Sequence, residues 1–347
     1  MESVVVSESG ERQMVRLRYL LERTAQAIIT VFGVLTITFV LIQQLPGGPT
    51  AYLKAQLASQ GSVEDIESIT EMMKSYTGFA TSDPLWKQYL DYMSGVFLEF
   101  DLGTSIWYQD SVTTIYAEAI PWTGFVMISA ILINFVIIVG VGALSAYREG
   151  SYFDYTTSSV FQVLGSIPYF IVALVLLYVF GYRRGIFPTG GRMPQGVTAG
   201  VNFEFVAGVL YYATLPMLSI IAAQLGRMLN MRGNSISTLG EDYLRVARIR
   251  GIPSFQITMR YVVRNSILPL YTGLIITLGT VFGSSVILEE IFSYKGAGFY
   301  LFNAVVHRDY ILMMGGFLII TIAVTVGVYV ADLTYGLIDP RIQEGEQ

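Results

Sequence analysis

Side chains able to do covalent chemistry are scarce in this sequence. It contains no cysteine, which excludes disulfides, thiolate nucleophiles and cysteine-ligated metals. His307 is the only histidine. Without a second one it builds neither a zinc site nor a catalytic triad, and a loop position is its expected meaning. No Gly-x-x-x-x-Gly-Lys-Ser/Thr run occurs, so no segment cradles nucleotide phosphates, and Gly296-Ala297-Gly298 lacks the spacing that would follow in a phosphate-binding fingerprint. What remains are polar side chains inside long apolar stretches: Asn134, Gln162 and Gln224, with Asp332 near the end of the last one. Polar groups at bilayer depth are expensive and are functional candidates by default. Their amides would line a solute path or bond between helices, and both readings stand. Glu289 and Glu290 fall at the outer end of the fifth stretch, either beside a path mouth or on a solvated surface. On either reading no catalytic residue and no metal site is expected among them.

Positioning such groups is the work of helices. Apolar residues form 53% of the 347-residue chain and charged residues 14%, against about a quarter charged in soluble proteins. A bilayer core takes roughly 20 mainly apolar residues at about 1.5 Å rise each. Six stretches qualify: 24–45, 122–147, 158–181, 205–226, 267–288 and 310–338. The expected fold class is an all-α integral membrane protein with about six transmembrane helices. Pro168, Pro216 and Pro269 lie in or beside three of them, where a membrane bundle accommodates proline. Gly140, Gly142, Gly279 and Gly283 read as sites of close helix packing. The first stretch follows arginines, as a signal peptide would. At 22 residues, with five more stretches behind it, it reads as a retained anchor.

Arginine and lysine near span ends stay cytoplasmic. With both termini inside, thirteen of the 21 basic residues fall in four short cytoplasmic segments, and eight, including all four lysines, fall opposite. The order is then a cytoplasmic N-terminus (1–23), a first transmembrane helix (24–45), an external loop or cap (46–118) and a five-helix domain (119–347) with a cytoplasmic loop at 227–264. The external loop carries ten acids and three lysines and has a helical reading over 63–76. Arginine outnumbers lysine 17 to 4 and acids outnumber bases 26 to 21, a usage that suits a high-salt prokaryote such as a halophilic archaeon.

The cytoplasmic loop is the most informative segment. Glu241 and Asp242 open a run where a helix N-terminus favours negative charge. Arg245, Arg248 and Arg250 fill its later turns, Gly251 stands where a left-handed cap falls, and Pro253 stops it. The pattern predicts a helix of about two and a half turns, too short to be stable alone in water. It must dock. Tyr243, Val246, Ala247 and Arg250 share a face, on which Ala247 would permit close backbone approach. A second amphipathic run over 254–265 puts Phe255, Met259 and Val262 on one side. One reading is a basic loop lying on acidic headgroups. The other is a docking helix for a soluble partner, and the sharp glycine–proline exit favours that fixed shape.

These residues resemble the coupling-helix signature of ATP-binding-cassette importer permeases, written Glu-Ala-Ala, three residues, then glycine. Arg245, Val246 and Ala247 occupy the first three positions and Gly251 the last, the first two departing from Glu-Ala. The stretch from Glu241-Asp242-Tyr243 to Gly251, continued by Arg264-Asn265 and Leu268-Pro269, is similar to the dipeptide/oligopeptide/nickel permease subgroup. Leu45-Pro46-Gly47-Gly48-Pro49, Asp101-Leu102-Gly103-Thr104-Ser105, Ser166-Ile167-Pro168-Tyr169-Phe170, Phe187-Pro188, Glu289-Glu290-Ile291-Phe292, Arg308-Asp309-Tyr310 and Asp339-Pro340-Arg341 resemble its other landmarks, in order. Departures are Gly48 for a frequent aspartate and Lys295 for the usual proline. The resemblance is to the partner type with a long first external loop.

The resemblance implies a type I importer permease fold in a prokaryotic cell membrane. It implies a second, homologous permease subunit, two cytoplasmic ATPase subunits and an extracytoplasmic solute-binding protein, with no nucleic acid involved. Glu241, Asp242, Tyr243, Arg245, Ala247, Arg248 and Gly251 would couple to an ATPase. Asn134, Gln162, Gln224 and Glu289 are the candidate path. The chain would need no cofactor, ATP being used by the partner subunits. Peptides are the expected solute, with nickel or oligosaccharides as alternatives in the same class. A stand-alone secondary transporter or channel would instead predict ionisable groups at mid-span and an inverted repeat, and the sequence displays neither. A mere anchor for the external domain would need one span only.

Overall fold

The computed structural model describes residues 2–44, 74, 76, 83–200 and 202–338. The Leu45 to Pro49 exit, most of the expected 63–76 helix and the closing Asp339-Pro340-Arg341 lie outside them. Regular structure among the described residues is helical, apart from an isolated bridge between Thr104 and Ser111. In chain order the helices are α1 (Glu2–Gln44), α2 (Leu85–Ser94), α3 (Val112–Tyr147), α4 (Tyr152–Gly165) and α5 (Tyr169–Leu176, prolonged by a wide turn to Arg183). Then come α6 (Phe203–Gln224), α7 (Met228–Leu239), α8 (Asp242–Ile249), α9 (Ser254–Ser266), α10 (Leu268–Gly279), α11 (Val286–Ile291), α12 (Ala297–Val306) and α13 (Tyr310–Ile338).

Among the described residues four helices are long and apolar enough to cross a bilayer: Leu21–Gln44 within α1, α3, the continuous Phe203–Leu239, and Tyr310–Asp332 within α13. The bent pairs α4–α5 and α9–α10 raise the number to six. Within Leu21–Gln44 only 17% of the apolar window is buried by the chain itself, so lipid or a partner must cover the rest.

Four expected boundaries are corrected. The 118/119 border between external loop and helical domain falls inside α3, which starts at Val112. The third stretch is not one helix. Pro168 has extended backbone (φ −55° would be helical, but its ψ of 137° is not), lacks an N–H donor and disfavours helix at Ile167. The axes of α4 and α5 therefore diverge by 95°. The fourth stretch does not end at Gly226. A tight turn at Leu225–Arg227 carries the helix into α7, whose face of Met228, Met231 and Ser235 is buried, so the first part of the 227–264 loop is helix. The fifth stretch ends at Gly279 and not at 288, with its lost length supplied by α9 across a 49° bend.

The chain packs as two compact units, one formed by residues 1–122, 282–286 and 296–347, the other by 123–281 and 287–295. In the first, α1 runs against α13. Arg23 Nε meets Asp332 Oδ2 at 3.5 Å and Thr24 Oγ1 meets Tyr329 Oη at 3.1 Å, which gives Asp332 its partner near the end of the span. α2 lies along α1 through Tyr89 on Thr36 (2.7 Å) and Gln88 on Gln43 (3.1 Å). Asp309, 1% exposed, ties two sequence landmarks together. Its Oδ1 caps α13 by accepting from Leu312 N (3.1 Å), and its Oδ2 accepts from Ser105 Oγ (2.6 Å) and Trp107 N (3.0 Å). His307 ends α12 and stacks on Trp107, ring centroids 3.7 Å apart.

The second unit holds the segments of functional interest. α4 crosses the end of α6 so closely that a Cβ on Gly165 would sit 2.6 Å from Gly226 N. A Cβ on Gly142 would meet Met231 at 2.7 Å, whereas one on Gly140 would meet nothing. Asp154, 1% exposed, accepts from Arg232 Nε (2.5 Å) and Nη2 (2.7 Å) and from Gly150 N (3.1 Å). This bidentate pair clamps the α3–α4 turn to α7.

Candidate functional site

The helix expected after Gly240 forms over Asp242–Ile249. Glu241 takes the N-cap position with extended backbone but makes no side-chain cap. Asp242 in the first turn and Arg248 in the last match the helix dipole. The exit is a two-bond left-handed cap: Gly251 N donates to Arg248 O (2.9 Å) and Ile252 N to Ala247 O (3.3 Å). Gly251 has φ +73°, and a Cβ there would meet nothing within 4 Å. Glycine is needed for the backbone conformation and not for space.

Two faces of α8 separate sharply. Leu244 (0% exposed) and Ala247 (7%) pack with Ile257 and Val262 of α9, flanked by Leu239 and Ile252. Tyr243, Val246 and Ile249 are exposed, Ile249 by 80%, beside exposed Glu241, Asp242, Arg245, Arg248 and Arg250. The expected docking face is thus corrected. Ala247 points inward to α9, and Val262 is buried while Phe255 and Met259 are exposed. Polar contacts brace the loop: Asn265 Nδ2 donates to Tyr243 Oη (2.6 Å), and Arg248 Nη2 reaches Leu239 O (3.4 Å). Leu244 escaped the sequence reading as the anchor. Its i, i+3 spacing to Ala247 was the available signal.

A second feature lies between α3, α6–α7 and α10. A cleft of about 700 Å³ is lined by Ile131, Asn134, Phe135 and Ile138, by Gln224, Arg227, Asn230 and Asn234, and by Leu270, Gly273 and Thr277 among others. Asn134 is 3% exposed, and among the described residues its Oδ1 has no hydrogen-bond partner. Arg227 Nη1 stands 3.5 Å from Thr277 Oγ1. Of the four candidate path residues, the cleft brings together Asn134 and Gln224. Gln162 is exposed on α4 and lines no part of it. Glu289 is corrected: at 3% exposure it is buried, accepting from Thr123 Oγ1 (2.7 Å), and belongs neither to the cleft nor to a solvated surface. Arg227, Asn230 and Asn234 were missed because the fourth helix was ended at Gly226. Continued at helical spacing, 224, 227, 230 and 234 make one polar stripe.

Comparison with known proteins covers both parts of the chain. Residues 138–344 match the family described as binding-protein-dependent transport system inner membrane component, and residues 16–121 match its N-terminal counterpart. A putative peptide permease protein of Brucella suis is 33% identical over 331 residues, covering 94% of this chain and 99% of that protein. The oligopeptide transport system permease protein AppB of Bacillus subtilis is 29% identical over 328 residues, with 94% and 99% covered. The dipeptide transport system permease protein DppB of Escherichia coli is 26% identical over 345 residues, again with 94% and 99% covered.

Proposed function

We propose, on the premise that this chain belongs to the inner membrane components of binding-protein-dependent transport systems, that it is one of two permease subunits of an ATP-driven importer of peptides or similar solutes. One observation carries the coupling role: α8 is anchored to its own chain by Leu244 and Ala247 and turns Tyr243, Val246 and Ile249 outward. A helix this short holds its shape only by packing, so its free apolar face is a ready seat for a soluble subunit. ATP is bound and hydrolysed on two separate ATPase subunits, and this chain needs no cofactor of its own. ATP then shifts the bundle between packings only through contacts that differ in the two states, and α8 supplies them. An extracytoplasmic binding protein delivers the solute, and the peptide class is supported by the names of the relatives. Thirteen of 21 basic residues on one side support cytoplasmic termini. Acid-rich, lysine-poor usage supports a prokaryotic host at high salt, as in a halophilic archaeon.

Because the chain has no cysteine, Ile249→Cys introduces a unique thiol. In inside-out vesicles carrying the whole importer, a thiol–amine cross-linker at this position is expected to capture the ATPase subunit, with a yield that changes several-fold when ATP is added. A cross-link to no ATPase, in vesicles that still take up peptide on ATP, would overturn the docking role.

A further inference from the structure

The cleft between α3, α6–α7 and α10 has a chemical bias of its own. Its polar lining is Asn134, Gln224, Arg227, Asn230, Asn234 and Thr277, and no acidic residue lines it. Among the described residues no carboxylate pairs with Arg227, whose nearest polar contact is the long one to Thr277. A site for an ammonium group would present carboxylates, whereas this one presents a guanidinium fork, the geometry that meets a carboxylate with two parallel bonds. The second observation is Asn134. A buried amide oxygen with no partner in the protein is costly to leave unpaired, and a bound molecule that donates to it would relieve that cost. Asn134 sits on the wall of a cleft whose volume falls within the usual range of ligand sites.

We propose that this cleft is a carboxylate-binding subsite for the solute in transit, with Arg227 holding the C-terminal carboxylate of a peptide and the amides of Asn134, Gln224 and Asn234 bonding its backbone. The proposal rests on the peptide reading above and adds which end of the peptide the permease itself recognises. The polar stripe runs from the end of α6 through the Leu225–Arg227 turn into α7, which leads through Gly240 to α8. Occupancy of the cleft and the position of the docking helix therefore bear on one continuous stretch of backbone.

The test is saturation-transfer NMR on the complete importer in nanodiscs, without binding protein, using a dipeptide, its C-terminal amide and the non-peptide carboxylate adipate as probes. For the wild type, the dipeptide acid is expected to bind about tenfold more tightly than its amide, the scale of one charge-assisted hydrogen bond. Arg227→Gln should erase that ratio and Arg227→Lys should keep most of it. Asn134→Leu should weaken acid and amide alike. Because each ratio is read within one variant, a lower yield of folded complex cancels. Equal binding of acid and amide by the wild type, or full discrimination by Arg227→Gln, overturns the subsite. Arg227-dependent binding of adipate without binding of either dipeptide supports the carboxylate subsite and overturns the peptide reading instead.

Discussion

Gly251 illustrates how one backbone angle holds a site together. At φ +73° an L-residue pays roughly 1–2 kcal/mol, asparagine least, and proline cannot adopt the angle at all. Proline would also remove the N–H that Arg248 O accepts. ATP-driven uptake by the reconstituted importer should therefore fall in the order Gly251→Asn, Gly251→Ala, Gly251→Pro, with the last abolishing it while membrane insertion, followed by fractionation, stays intact. Loss that followed side-chain volume instead would point to a steric requirement, which the open space around Gly251 argues against. This residue was fully legible in the sequence, because cap chemistry is local. The Asp154–Arg232 clamp was not, since 78 residues separate its halves. Removing one partner strands a buried charge and costs about 3–5 kcal/mol, whereas replacing both with apolar residues costs far less. Thermal unfolding in detergent should accordingly rank Arg232→Met below the double variant Asp154→Leu/Arg232→Met.

At the scale of elements, periodicity grouped Ala247 with Tyr243, Val246 and Arg250, whereas the fold buries Ala247 beside Leu244 and leaves the other three exposed. Both faces carry apolar side chains, and only the fold reveals that Leu244 and Ala247 meet α9. The two faces make opposite predictions. Ala247→Glu forces a carboxylate into a contact with Ile257 and Val262 and should destabilise the loop itself, read as faster proteolysis between α7 and α9. Ile249→Glu, on a side chain 80% exposed, should leave proteolysis unchanged yet lower uptake at least tenfold by placing a charge in the docking face. If Ile249→Glu transported normally, the outward face of α8 would not be the seat. Helix ends were misread for a related reason. Hydropathy ends at Gly226 because the buried residues beyond it, Met228, Met231 and Ser235, alternate with polar ones that line the cleft, so the helix continues after the apolar run has stopped.

Over the whole molecule, the number of spans turns on the two bent pairs, of which α4–α5 is bent the more sharply. At about 1.5 Å per residue its legs measure about 21 and 22 Å, and meeting at 95° they leave an end-to-end chord of about 29 Å. That chord matches the roughly 30 Å hydrocarbon core, so the pair can cross if its chord lies along the membrane normal, or dip in and return if it does not. Charge favours the crossing. Crossing puts Arg148 on the same side as the seven arginines between residues 227 and 264, while a returning pair would put those seven opposite both Arg148 and the basic N-terminus, against the positive-inside rule. Tyr152 and Phe203, 90% and 89% exposed, bracket the pair. In this cysteine-free chain, Tyr152→Cys and Ile249→Cys should react with a membrane-impermeant maleimide only in inside-out vesicles, and Phe203→Cys only in intact cells or right-side-out vesicles. Labelling of Tyr152→Cys and Phe203→Cys from the same side would make α4–α5 a re-entrant segment, reduce the crossings to five and place the C-terminus opposite the N-terminus.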